Sequence, residues 1–332
     1  MTQESNASAW LSPNPALPPQ DWKLEPRPVA GTLAALGAAL LFGGAGPIAK
    51  GFLPRGGGEI TLAAVLYVAA GTGLAALVFL FRAARVTSPD PRPLGPAEKR
   101  ALAWSTLCGG FLAPILLMLG LARASGTAAS LLLAAEMPMT AIAAIVFLRE
   151  RIDRTTSAGA AAILAGSLLV ALGARASGDT TPLGALAILG CSAAWAADTS
   201  VTSRLAGRDP LVVAAWKCLL ATPATLALAF AVDGTAGFVA LADPARLPGL
   251  AATGLFGYGL SISLFVLAIR WIGVARTGAL FGSSPLLNAG VAVVWLDETP
   301  SPRLFLAAGC MAIGAGIIMV RTLQTRSPAP TP

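Results

Sequence analysis

The sequence predicts an all-α membrane protein of ten transmembrane helices, arranged as two inverted-topology five-helix repeats. Three observations carry that expectation. Hydrophobic residues make up 55% of the chain and charged residues only 12%, with a mean hydropathy of +0.73, far outside soluble usage. Ten stretches almost free of charge are long enough to cross the roughly 30 Å of a bilayer's hydrocarbon core. Residues 122–150 return as residues 269–298, each copy running from a basic residue (Arg123, Arg270) across a long apolar segment to a closing Leu-x-Glu at Glu150 or Glu298, which marks an internal repeat.

Taken in order, residues 1–28 hold six prolines and no apolar run, so they are expected to be a disordered cytoplasmic tail rather than a signal peptide. The spans are expected at 30–49, 60–81, 101–121, 124–148, 156–174, 182–203, 210–232, 247–269, 277–296 and 304–320. The first repeat covers 29–177 and the second 182–325, leaving 326–332 as a C-terminal tail. The late segments align at a constant offset, Leu148 with Leu296 and Gly166 with Gly314. The early ones align more loosely, Phe42 meeting Trp195 and Tyr67 meeting Lys217. Five spans per half is an odd number, so the halves must be oppositely oriented, with a substrate site between them near mid-membrane. With both termini inside, cytoplasmic segments hold 16 basic residues and external loops 6, as the positive-inside rule requires for a cell (inner) membrane protein. The net charge of +7 is thereby an orientation device meeting anionic headgroups, and no nucleic-acid partner is needed.

Glycines recur on helical faces, as in Gly159, Gly166 and Gly173 and in Gly278-x-x-x-Gly282, and are expected to be packing faces. Pro47, Pro114, Pro138, Pro223 and Pro285 lie inside spans, where each frees a backbone carbonyl that protein or cavity water must satisfy. The four cysteines fall within spans at unrelated spacings and suggest neither a disulfide framework nor a metal site.

Only Glu136, Asp198 and Lys217 are charged residues within spans. A charge at the centre of a span costs about 3 kcal/mol on insertion scales. Glu136, two residues before Pro138, is either a protonatable carboxylate facing the cavity between the repeats or a permanently protonated hydrogen-bonding link between helices. Asp198 and Lys217 lie on consecutive antiparallel spans at matching depths, roughly 8–10 Å below the cytoplasmic boundary at 1.5 Å per residue. An ion pair is geometrically allowed, and both a static clamp and a switching gate fit it. Ser284 and Asn288, four apart, share a helical face, and the repeat sets them opposite Glu136 and Thr140, so one polar site is expected. Tyr258, in Gly257-Tyr258-Gly259, brings a hydroxyl and a ring face to that site or anchors packing. Tyr67, the repeat counterpart of Lys217, is a secondary candidate, and Arg276, at the mouth of the ninth span, is expected to snorkel to the boundary.

On these residues the chain resembles the EamA-type branch of the drug/metabolite transporter superfamily. In the first half the resemblance lies in Phe42-Gly43 with Lys50, and in Ala129-Ser130-Leu131-Leu132-Leu133 running to Glu136 and Arg149-Glu150. In the second it lies in Trp195-x-x-Asp198, Arg204, Asp209-Pro210, Lys217, Gly257-Tyr258-Gly259, Ala275-Arg276-Thr277-Gly278 and Leu296-Asp297-Glu298. The resemblance implies ten helices around a central cavity, alternating access, and movement of amino acids, other metabolites or drugs, commonly as efflux. Cys218 departs from the glycine usual after the lysine in similar sequences. Pro138 also stands one residue closer to Glu150 than Pro285 does to Glu298, so the two prolines are not true equivalents.

Enzyme chemistry finds no support: the chain has no histidine, no zinc-protease or nucleophile-elbow motif and no phosphate loop, and no cofactor or metal is implied. Any proton coupling must use carboxylates. A secondary transporter of small solutes leads; a lipid translocase of the same architecture and a non-transporting membrane interaction protein are the alternatives. The expected partners are a small-molecule substrate and membrane lipids, with a homodimer left open.

Overall fold

The computed structural model describes residues 27–53, 58–84, 92–140, 142, 154–177, 180–272, 274–299 and 302–324. Almost all of the expected N-terminal tail, the C-terminal tail and the repeat's Arg149 and Glu150 lie outside these residues. Among the described residues every regular element is helical.

In chain order, α1 is Pro28–Phe52 and α2 Glu59–Ala83; α3 (Pro96–Ser105) runs through a π-helical segment, Thr106–Leu112, into α4 (Ala113–Leu121). Then come α5 (Gly126–Leu133), α6 (136–140) and α7 (Arg154–Ser177). The second half repeats this order with α8 (Pro182–Thr202), α9 (Pro210–Val232), a short α10 (Gly234–Leu241), and α11 (Leu247–Ala252) passing through a second π segment, Thr253–Leu260, into α12 (Ser261–Ile272). It ends with α13 (Val274–Phe281), α14 (Ser284–Trp295) and α15 (Pro302–Gln324). Proline opens α1, α3, α9 and α14, where its missing N–H costs nothing and its fixed φ suits the first turn. Asp209 caps α9 through Leu211 N–H at 2.9 Å, and Ser125 caps α5 through Ala128 N–H at 3.2 Å, each filling a donor that helix geometry leaves open.

Among the described residues, six helical stretches are long and apolar enough to cross a membrane: Val29–Phe52, Glu59–Ala83, Pro96–Leu121, Pro182–Thr202, Pro210–Val232 and Leu247–Ile272. Large apolar side chains such as Leu33, Leu40, Phe79, Leu186 and Phe305 are exposed on the outside of the bundle, a surface that suits lipid and not water. Shorter apolar helices, Ser284–Trp295 and Phe305–Ile317 among them, accompany the six. Within the expected spans at 124–148 and 277–296 the helix is interrupted, at 134–135 and at 282–283. Proline explains both breaks, because Pro138 and Pro285 have no N–H for the carbonyls four residues back, Ala134 and Phe281. The interruptions are 148 residues apart, the offset that also relates Leu148 to Leu296. Pro285 therefore enters α14 one position earlier than Pro138 enters α6, and the prolines are indeed not equivalents.

Contacts between helices show the repeat in space. Helices α2 and α9, and α7 and α15, each a pair of repeat counterparts, pack against one another; α5 of the first half packs against α14 of the second, and the contact of α1 with α12 is mirrored by that of α8 with α4. Counterpart-to-counterpart and exchanged contacts are what a two-fold relation between the halves produces. Glycine lets the last helices approach closely: a Cβ on Gly166 would stand 2.9 Å from Ala307 O, and one on Gly314 2.5 Å from Gly159 O, so these glycines are packing faces as expected. Gly278 is not. A Cβ on Gly278 would meet nothing within 4 Å, and Gly282 sits in the turn between α13 and α14, where the helix break re-aims the chain.

Candidate functional site

A cavity of about 570 Å³, its mouth included, lies between the two halves, bounded by α1, α2 and α6 of the first and α8, α9, the second π segment, α12 and α13 of the second. One wall is aromatic. Phe42 stands edge-on to Trp195 at 5.1 Å and to Tyr258 at 6.2 Å, and tilted against Phe281 at 5.4 Å; Phe265 meets Phe281 at 4.9 Å, and Tyr67 meets Tyr258 at 5.9 Å. These separations are those of favourable edge and offset ring pairs. The lining also carries the charged side chains Glu136, Asp198 and Lys217.

Lys217 donates to Asp198 in an ion pair whose members are 5% and 6% exposed. Asp198 Oδ1 also accepts from Ser105 Oγ at 2.5 Å and from Thr202 Oγ1 at 3.0 Å, so both carboxylate oxygens are engaged, as a buried charge requires. The pair rests on the backbone of the first π segment: a Cβ on Gly109 would lie 2.6 Å from Lys217 Nζ and nearer still to the Asp198 carboxylate. A π turn widens the helix and releases carbonyls from the i→i−4 ladder. Tyr67 OH donates to the Gly109 carbonyl at 2.8 Å, which also holds that ring at the cavity wall. Gly109→Ala is expected to cost about 1–3 kcal/mol by overpacking, measured as a lower melting temperature in detergent, whereas Gly278→Ala causes no loss.

Glu136 is the first residue of α6 and lines the cavity. Among the described residues no donor reaches its carboxylate, although its main-chain oxygen accepts from Thr140 Oγ1 at 2.8 Å. A hydrogen-bonded link from Glu136 to another helix therefore has no partner among them. Tyr258 OH is buried and has no hydrogen-bond partner among the described residues. The cavity thus offers the Glu136 carboxylate and the Tyr258 hydroxyl, both without a partner among the described residues, beside six rings.

Of the residues singled out in the sequence, Glu136, Asp198, Lys217, Tyr258 and Tyr67 come together here. Ser284 and Asn288 do not, which corrects the expectation of one shared polar site. They are 2% and 1% exposed and face α1, where a Cβ on Gly46 would stand 2.9 Å from Asn288 Oδ1 and one on Gly43 3.2 Å from Ser284 O. The break at 282–283 turns their shared face onto α1 instead of the cavity. Thr140 is half-buried and spent on its own helix. The side chain of Arg276 lies outside the described residues. Nothing in the sequence pattern marks Ser105, Thr202 or Gly109, whose role is tertiary; for Phe42 and Trp195 a signal existed in their alignment across the repeat.

A family model described as "EamA-like transporter family" matches residues 29–172 and again 182–320. The chain is 31% identical over 248 residues, covering 72% of this chain and 81% of the relative, to a protein of Streptantibioticus cattleyicolor named "Probable terminal-alkyne amino-acid exporter". A solved crystal structure with 21% identity superposes at a TM-score of 0.61, covering 90% of this chain and 99% of the other, a likeness of fold alone.

Proposed function

Since this chain belongs to the EamA-like transporter family and is an integral membrane transporter of small molecules, we propose that it is a secondary active exporter of amino acids or similar small metabolites, working by alternating access. Ten crossings in two oppositely oriented halves, with both termini cytoplasmic in the cell membrane, complete the reading; the excess of basic residues in the segments then internal supports that orientation. In this frame the C-terminal end of α8 and the start of α9 lie inside, and Lys50, Glu59 and Glu298 lie outside.

The observation that carries the proposal is the cavity between the halves, lined by aromatic rings and by Glu136, whose carboxylate no donor among the described residues reaches. Two carboxylates and one ammonium beside apolar rings suit a small zwitterion or amine with a compact apolar body. Glu136 takes a proton or the substrate's cationic group, and Asp198 with Lys217 forms a gate on the cytoplasmic side. The relative named for terminal-alkyne amino acids supports small apolar amino acids as the first substrates to test. A lipid translocase would instead need a polar groove open sideways to the acyl chains.

Thermal shift of the purified protein against amino acids with compact apolar side chains, terminal alkynes included, tests the proposal. A ligand at 100 times its Kd stabilises the folded state by about 2.7 kcal/mol. A raised melting temperature, followed by counterflow of the same compound in proteoliposomes, is expected. No shift and no counterflow across the panel would overturn it.

A further inference from the structure

On its outer side the cavity ends at the level of Tyr67 and Tyr258, eight and eleven residues into Glu59–Ala83 and Leu247–Ile272, which leaves roughly 12 Å of packed protein between it and that end at 1.5 Å per residue. On the inner side its lining reaches Thr202, the last residue of α8. The described conformation is therefore shut outside.

What shuts it is concentrated at one carboxylate. Glu298, three residues beyond α14 in the second half, accepts from Gly126 N–H at 2.6 Å, from Thr127 N–H at 2.8 Å and from Thr127 Oγ1 at 3.0 Å, all at the start of α5 in the first half. Lys50 at the end of α1 stands 3.8 Å from Glu298 Oε1 and also donates to the Ala124 carbonyl. Beneath this junction the packing is close: a Cβ on Gly126 would lie 2.6 Å from Leu296 Cδ1 and 3.0 Å from Ala292 Cβ. The amide groups that Glu298 fills are ones a helix start leaves open, and the carboxylate also meets the positive end of the helix dipole. A second cross-half carboxylate, Asp233, accepts from Thr61 N–H at 2.8 Å at the start of α2, but α2 and α9 pack together as counterparts, so that contact lies within one pair. Glu298 instead joins three helices at their outer tips.

We propose that Glu298 is the outer latch of the transport cycle: its carboxylate, bound to the start of α5 and backed by Lys50, holds the external entrance closed and must let go for the cavity to face outward. This rests on the reading of the chain as an alternating-access transporter. Breaking the latch favours the outward-facing state without touching any residue of the cavity.

External labelling of a single cysteine tests this. Ser130→Cys, one turn below the latch on α5 and 2% exposed, is placed in a full-length chain whose Cys108, Cys191, Cys218 and Cys310 are changed to alanine. Intact cells are then treated with a membrane-impermeant thiol reagent. Labelling is expected to be slow with Glu298 present and at least tenfold faster after Glu298→Gln, with smaller gains for Lys50→Ala and Thr127→Val. Asp243→Asn, in an external loop and paired with Arg246 along its own turn, serves as the control and leaves the rate unchanged. Equal rates with and without Glu298→Gln in folded protein would overturn the latch. If Glu298→Gln does not fold, unchanged rates for both Lys50→Ala and Thr127→Val do the same. Faster labelling in a chain that carries no solute would uphold the latch while defeating the transporter reading.

Discussion

Lys217→Ala is expected to destabilise the folded protein by about 3–5 kcal/mol, the range measured when one partner of a buried ion pair is removed. The Asp198 carboxylate keeps the hydroxyls of Ser105 and Thr202 but loses its only counter-charge among the described residues while remaining buried. Asp198→Ala leaves the converse, an ammonium among aromatic rings with Glu136 as the remaining acid of the cavity. The double alanine variant removes both charges and so should be less destabilised than the sum of the two single changes, a coupling that a double-mutant cycle of melting in detergent reads directly. Exchange of the two residues, Asp198→Lys with Lys217→Asp, should recover most of the stability and part of the counterflow lost in each single variant. A cycle that closes additively, or an exchange that rescues neither property, would mean the pair is a coincidence of packing rather than a clamp or a gate.

How far this arrangement could be foreseen depends on which physics each part obeys. Spans are a one-dimensional property, since lipid favours long helices almost free of charge, and the stretch around Tyr67 announces itself by what it lacks. The pairing of Asp198 with Lys217 followed from depth and antiparallel connection. The direction of Ser284 and Asn288 did not follow, because a two-residue break at 282–283 rotates a face that helical spacing assumes continuous. The π segments were invisible for a related reason: Cys108-Gly109-Gly110 and Gly257-Tyr258-Gly259 are glycine-rich like many packing faces, and only the contact of Gly109 with the ion pair shows why the helix widens there. Glu298 was legible as a repeated motif residue, but its task depends on where α5 starts in three dimensions. The family match adds the transport assignment, which neither spans nor ion pair would have given alone.

Glu136→Gln should leave the fold intact and stop the coupled reaction. Gln has the same shape, and no donor among the described residues depends on the carboxylate, so melting should shift by less than about 1 kcal/mol, as for a change that strands no partner. Transport is another matter. A charged group contributes about 1.5–3 kcal/mol to a hydrogen bond with its ligand, and each 1.4 kcal/mol is tenfold in affinity or rate, so counterflow should fall by roughly ten- to a hundredfold. The residual exchange should also lose its dependence on a pH gradient, because the chain has no histidine and Asp198 is tied to Lys217. Counterflow in proteoliposomes, measured with and without an imposed gradient for wild type, Glu136→Gln and Glu136→Asp, separates the two consequences. A loss of rate with pH dependence retained would make Glu136 a substrate contact and move the proton elsewhere. Equal rates in all three proteins would remove it from the mechanism, and the aromatic wall would then have to select substrates without a charged partner.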